Sequence, residues 1–215
     1  NDPTASAYIM TDKADNQITG FYPGPMDVKY CSLVKKIKNP SLAIVSPDFK
    51  TRMIEYVRLY KEMGVDYIFD PGQQVTSFTA PELRRVIKGA KVLIGNDYEI
   101  KLILNKLKLS SKKLEQLVDI LIVTKGAQGS EIYSSEGRIA IAAVKVKNII
   151  DPTGAGDAYR AGLIKGLISG ASLQKAGQLA STIAAYAVEK QGTQVHKFTL
   201  KEFTNRYKQN YETSR

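Results

Sequence analysis

The chain has 215 residues, 43% of them hydrophobic, and a formal net charge of +10 from 31 Lys and Arg against 21 Asp and Glu. That length and apolar content suit one substantial core, a single domain or a domain with a small appendage, and no apolar run approaches the length of a membrane span. Cys31 is the one cysteine, which excludes an internal disulfide and a cysteine-based metal site; with no charged-then-apolar pattern in the opening residues, a reducing cytoplasm is the expected setting.

Residues 6–11 and 17–22 alternate around the polar stretch 12–16, the pattern of a β-hairpin, and Pro23-Gly24-Pro25 closes it. The chain then cycles. Residues 42–45 read as strand and 51–63 as helix, 67–69 as strand and 81–88 as helix, 92–94 as strand and 97–106 as helix, then 111–118 as helix and 120–124 as strand. Short apolar runs alternating with amphipathic stretches predict a parallel sheet with helices on both faces. Between 129 and 150 the pattern turns β-like, with runs at 130–133, 138–142 and 144–149 and a Ser134-Ser135-Glu136-Gly137 turn, as expected of an antiparallel edge. Helices at about 155–169 and 172–190 follow, the second rich in alanine, and a basic helix at 199–207 comes last. The expected class is α/β: a Rossmann-like doubly wound, mostly parallel sheet preceded by part of a small β lid.

The positive charge fits either a nucleic-acid surface or a preference for anionic small molecules. The lysines fall in scattered groups (Lys35, Lys36, Lys38; Lys106, Lys108, Lys112, Lys113; Lys145, Lys147) without interleaved aromatics, which favours solvated faces and no nucleic-acid partner.

The chemistry concentrates in Asp151-Pro152-Thr153-Gly154-Ala155-Gly156-Asp157-Ala158-Tyr159, a glycine-rich turn between a strand-like and a helix-like run with a carboxylate at each end. Small residues let backbone N–H groups approach an anion, and the helix beyond adds the positive end of its dipole. Asp157 then stands beside the anion as a candidate base; the plainer reading is a tight turn with an acid favouring a helix N-terminus. No Gly-Lys-Ser/Thr follows, so this is not a Walker A loop, and Tyr159 is too bulky for the third position of a dinucleotide fingerprint.

The segment from Asp151 to Ile164 resembles the second signature of the ribokinase-like (PfkB-type) sugar and nucleoside kinases. The resemblance implies that Asp157 takes the proton from an acceptor hydroxyl while N–H groups of Gly154, Ala155 and Gly156 form an anion hole, in keeping with a phosphoryl transfer that depends on positioning and electrostatics. It implies ATP and Mg²⁺ as cofactors. Asn96-Asp97-Tyr98-Glu99 resembles the family's Asn-x-x-Glu motif, whose Asn96 and Glu99 organise the Mg²⁺ and phosphate shell through water; the same pair also reads as a helix capping box, and both roles can coexist. Thr124-Lys125-Gly126-Ala127-Gln128-Gly129 resembles the loop lining ribose and base, which carries over Thr124, Gly126 and Gly129, against the alternative of a plain turn between strands. Ser181 and Ala185, on the alanine-rich stretch before Gly192-Thr193-Gln194, would wall a flat adenine slot, although alanines on a helix also serve simple close packing. Asp151 and Thr153 match one side of a monovalent cation site, K⁺ in many relatives, whose carbonyl donors come from near Gly192. His196, the sole histidine, is expected in an exposed loop without a catalytic role.

By this resemblance residues 1–26 form a partial β lid and residues 27–215 the α/β nucleotide-binding and catalytic domain. The family's N-terminal third, with most acceptor contacts, has no counterpart, as expected of a fragment, a truncated frame or a processed chain. The lid stretch, with Asp157-Ala158-Tyr159-Arg160-Ala161-Gly162-Leu163, looks most like prokaryotic adenosine and nucleoside kinases. The implied activity is ATP-dependent phosphorylation of a nucleoside 5′-hydroxyl. The alternatives are a sugar acceptor of the ribose or fructose type and a non-catalytic nucleotide-binding fragment. A homodimer through the lid is a further expectation; Tyr8, Phe21 and Tyr22 either cover a base or form the lid's own core.

Overall fold

The computed structural model describes residues 3–11, 17–27, 37–38 and 40–212; the expected hairpin turn at 12–16, Cys31, Lys35 and Lys36 lie outside them. The hairpin strands β1 (Ser6–Thr11) and β2 (Gln17–Tyr22) pair antiparallel, Ser6 opposite Tyr22 and Thr11 opposite Gln17, as a separate two-stranded sheet.

The main sheet has six strands in sequential order: β3 (Ala43–Val45), β4 (Tyr67–Phe69), β5 (Val92–Asn96), β6 (Ile120–Thr124), β7 (Ser130–Ser134) and β8 (Gly137–Ile141). β3 to β6 run parallel and β7 and β8 add the antiparallel edge. Successive strand residues point to opposite faces, which is why adjacent apolar positions feed two cores. Phe69, Leu93 and Leu121 pack under α1 (Lys50–Glu62), α2 (Ala80–Ile87), α3 (Asp97–Leu107) and α4 (Ser111–Glu115) through Met53, Val57, Leu83, Ile87, Ile103 and Leu114. Their neighbours Ile68, Ile94 and Ile122 pack under α5 (Ala155–Ile168) and α6 (Leu173–Val188) through Tyr159, Leu163, Ala176 and Ala180. The alanine-rich α6 lies close against α5, with Ala180 and Ala176 seated over Gly162 and Gly166. α7 (Leu200–Tyr211) leans on α6, where Arg206 pairs with Glu189 at 2.7 Å and stacks its guanidinium 4.6 Å from the Tyr186 ring centre.

Two elements depart from the sequence reading. Residues 144–149, expected as a third antiparallel strand, form no strand; the sheet ends at β8 and their backbone is held by the helices instead. The Val144 and Lys145 amides donate to Ser181 Oγ and Asn210 Oδ1, both at 3.2 Å, and the Ile150 amide donates to the Val188 carbonyl at 2.8 Å. The helix expected over 111–118 stops at Glu115, because the next residues close into turns and the Leu117 carbonyl accepts from the Gly89 amide at 2.9 Å. His196 is half-buried rather than exposed, its ring stacked 6.3 Å from that of Phe198.

Candidate active site

The carboxyl ends of the parallel strands gather the candidate residues. Register sets Asn96, the last residue of β5, beside Thr124, the last of β6, which itself faces Ser130 of β7. Asn96 is also the N-cap of α3. Its Oδ1 accepts from the Glu99 amide and Glu99 Oε2 accepts from the Asn96 amide, each at 2.8 Å, so the capping box is fully formed. Glu99 Oε1 is not part of that cap.

The second helix start is built differently. α5 begins at Gly154, whose φ of 84° is left-handed and suits glycine, and no side chain caps it. A Cβ at Gly154 would also stand 3.0 Å from Thr193 Cα, so the turn is pressed against the loop that follows α6. Asp151 fastens that contact: Oδ1 accepts from the Thr153 amide and Oδ2 from the Gly192 amide, both at 2.9 Å. The Gly192 amide, then Thr153, hold the Asp151 carboxyl below the usual carboxylate range. The Ala155 amide donates back to the Pro152 carbonyl at 3.2 Å, whereas the Gly156 and Asp157 amides make no hydrogen bond among the described residues. The Gly154 amide likewise makes no hydrogen bond among the described residues, so of the expected Gly154, Ala155 and Gly156 set only Ala155 is committed within the turn. Asp157 stands in the first helical turn with its side chain 83% exposed.

Between these helix starts lies a cavity of about 730 Å³, within the size range of small-molecule sites. Asn96, Glu99, Thr124, Gly126, Gly129, Ala155, Gly156, Ser181 and Ala185 all line it. Gly154, Asp151, Thr153 and Asp157 stand in the same turn outside the lining, with Pro152 of that turn among the lining residues. Two of the lining candidates also carry structural duties. Gly129 has a φ of 89°, and a Cβ there would fall 2.0 Å from the Ile141 carbonyl oxygen. Ser181 Oγ is occupied by the Val144 amide and the Ala142 carbonyl. Tyr159 reaches the cavity from α5 with its hydroxyl 2.8 Å from Ser130 Oγ, and burial pushes its phenol up to about 12. A second cavity, about 670 Å³, lies at the other end of β6 beside Lys91, Asp119 and Glu136, and none of the candidate residues lines it.

Sequence reasoning missed two residues here. Asp70, directly after β4, is 1% exposed and forms an ion pair with Arg160 of α5, Nε to Oδ2 at 2.5 Å and Nη2 to Oδ1 at 2.9 Å. Burial raises the Asp70 carboxyl to about 6 against the pull of Arg160. A carboxylate closing an apolar strand, Tyr67-Ile68-Phe69-Asp70, was the available signal.

The oxygen-only donor set around Asn96 and Glu99 suits a hydrated hard cation such as Mg²⁺, which needs only one or two protein oxygens. The Asp151 carboxylate and the Thr193 carbonyl oxygen, 3.2 Å from a Cβ at Gly154, are likewise hard donors fit for K⁺.

A mostly parallel sheet with this helix pair over its carboxyl edge and a small β-hairpin defines the ribokinase-like class of fold. Residues 1–199 match the pfkB family carbohydrate kinase description, and the chain belongs to that family. A nucleoside kinase from Methanothermobacter thermautotrophicus is 34% identical over 204 residues, covering 91% of this chain and 64% of the relative. The nucleoside kinase of Burkholderia thailandensis in complex with inosine superimposes with a TM-score of 0.94 at 37% identity, over 99% of this chain and 70% of that one. The Methanocaldococcus jannaschii nucleoside kinase, an archaeal member of the ribokinase family, gives 0.83 at 31% identity over 97% and 69%. The chain therefore spans about two thirds of the length of the proteins it resembles.

Proposed function

We propose that residues 27–215 are the nucleotide-binding and catalytic part of an ATP-dependent phosphotransferase whose acceptor is a nucleoside hydroxyl, with residues 1–26 part of its β lid. The observation that carries this reading is the start of α5: the unpartnered Gly156 and Asp157 amides and an exposed carboxylate at the rim of a nucleotide-sized cavity. The triphosphate end lies on Gly156 and the Asp157 amide with Gly154 giving the turn its shape, the ribose runs past Thr124, Gly126 and Gly129, and adenine enters the slot walled by Ser181 and Ala185. Asp157 accepts the proton of the acceptor hydroxyl as that oxygen bonds to the γ-phosphorus. The bond from the γ-phosphorus to the bridging oxygen breaks and ADP leaves with the electron pair. Mg²⁺, held through water by Asn96 and Glu99, would offset charge on the phosphate oxygens. K⁺ at Asp151 and Thr153 would steady the turn.

The inosine complex of the Burkholderia thailandensis relative supports a nucleoside over a sugar acceptor. The carbohydrate kinase description of the family keeps a ribose- or fructose-type acceptor as the second reading. The hairpin carries Tyr8, Met10 and Phe21 more than half exposed, which supports a lid that pairs with a second copy. The test is transfer of the labelled γ-phosphate of ATP to inosine, adenosine or ribose. Transfer to a nucleoside supports the reading, and transfer to ribose alone moves the acceptor to the sugars. ATP binding without transfer makes the chain a nucleotide-binding fragment, and neither binding nor transfer contradicts the proposal.

A further inference from the structure

Two charged side chains left without a role above stand beside the start of α5, Arg160 in the cavity lining and Asp70 buried behind it. Asp70 and Arg160 are 90 positions apart in sequence and meet where β4 ends under α5. A buried ion pair is weak grounds for stability, since an apolar pair of similar volume often serves as well. Its geometry is more telling. Asp70 holds the guanidinium by one hydrogen bond, Nη2 to Oδ1, and by the ion-pair approach of Oδ2 to Nε, and leaves Nη1 free of Asp70. That nitrogen lies 3.4 Å from Asp157 Oδ1 and would be 2.7 Å from a Cβ at position 156, so it occupies the lip of the turn whose amides are open. The charged side chains lining the cavity among the described residues are Glu99, Lys145 and Arg160, and Lys145 belongs to the irregular segment held by α6 and α7. Glu99 and Asp157 stand close enough to Asp70 for their charge to add to the rise of its carboxyl. A triphosphate brought there needs a cation, and Arg160 is the one built into the turn.

Resting on the phosphotransferase reading, we infer that Arg160 is a catalytic residue whose Nη1 donates to the terminal phosphoryl group, and that buried Asp70 is the positioning residue that aims it. The site therefore distinguishes a nucleoside triphosphate from a diphosphate through a side chain as well as through backbone amides.

The test is calorimetric titration of this chain with Mg–ATP and Mg–ADP. Arg160→Gln is expected to weaken ATP by about 10- to 100-fold, the worth of a hydrogen bond to a charged group, and ADP by less than about threefold. Asp70→Asn, which weakens that hold but keeps the cation, is expected to move ATP in the same direction by a smaller factor and to spare ADP. Because Arg160→Gln leaves a buried carboxylate without its cation, the double variant Asp70→Asn/Arg160→Gln is measured beside it and should show the same selective loss. Equal losses for the two nucleotides, or none, would make the pair a purely structural clasp and overturn the inference. A wild-type chain that binds neither nucleotide would instead overturn the phosphotransferase reading on which it rests.

Discussion

Helices α3 and α5 begin at the mouth of the same cavity and treat their first amides in opposite ways. At α3, Asn96 and Glu99 satisfy each other's backbone through two 2.8 Å hydrogen bonds. At α5, Gly154 supplies no side chain and the Gly156 and Asp157 amides stay open. Both starts are oriented with a positive dipole end toward the cavity rim, so the dipole alone does not mark the anion site. The missing cap does: orphan amides at a helix start require a partner, and where the chain provides none a ligand can.

The comparison breaks most sharply at Asp157. Asp157→Asn in a catalytically complete protein should lower turnover by about two to four orders of magnitude, as loss of a general base does, while nucleotide affinity changes little. Steady-state kinetics beside ATP titration separates the two; normal turnover would remove Asp157 from the base role. Next in size is Gly156→Val. The nearest atom to the added Cβ is Arg160 Nη1 at 2.7 Å, so the side chain should displace that guanidinium as well as obstruct the anion's approach, and ATP affinity should drop by about tenfold or more. Gly154→Ala makes the useful contrast, because its Cβ meets the Thr193 backbone at a φ of 84° and the loss should appear as lowered stability instead.

At α3 the same surgery should be milder. Asn96→Ala removes the cap and is expected to cost about 1 kcal/mol of stability by urea unfolding. Any loss of Mg–ATP affinity beyond that of a folded control would reveal the second, metal-organising duty of Asn96. The smallest effect is expected at the Arg206–Glu189 pair, outside the cavity lining. Arg206 holds the Glu189 carboxyl below its ordinary value, so the pair contributes above about pH 4.5 and fades as pH falls through the depressed value. Glu189→Gln should therefore lower stability by about 1 kcal/mol at pH 7 and by nearly nothing at pH 2; a deficit that persists in acid would mean lost packing on Tyr186.

Much of this difference between helix starts was legible in sequence. Asn-x-x-Glu is a local cap pattern, and a turn of Gly154, Ala155 and Gly156 announces that no side chain will fill it. Strand and helix periodicity likewise gave the order of the α/β units and the antiparallel edge. What escaped was non-local. Residues 144–149 have the apolar alternation of a strand, but the Val144 and Lys145 amides go to Ser181 and Asn210, partners that periodicity cannot name. The Asp70–Arg160 clasp joins two distant stretches, and only the folded sheet brings them to one turn.

The central claim is that the open amides of α5 receive the terminal phosphates, and amide NMR of the chain titrated with Mg–ATP tests it most directly. The account predicts its largest shifts at Gly156 and Asp157, much reduced when AMP replaces ATP. Saturable ATP binding that leaves both amides unmoved would contradict it.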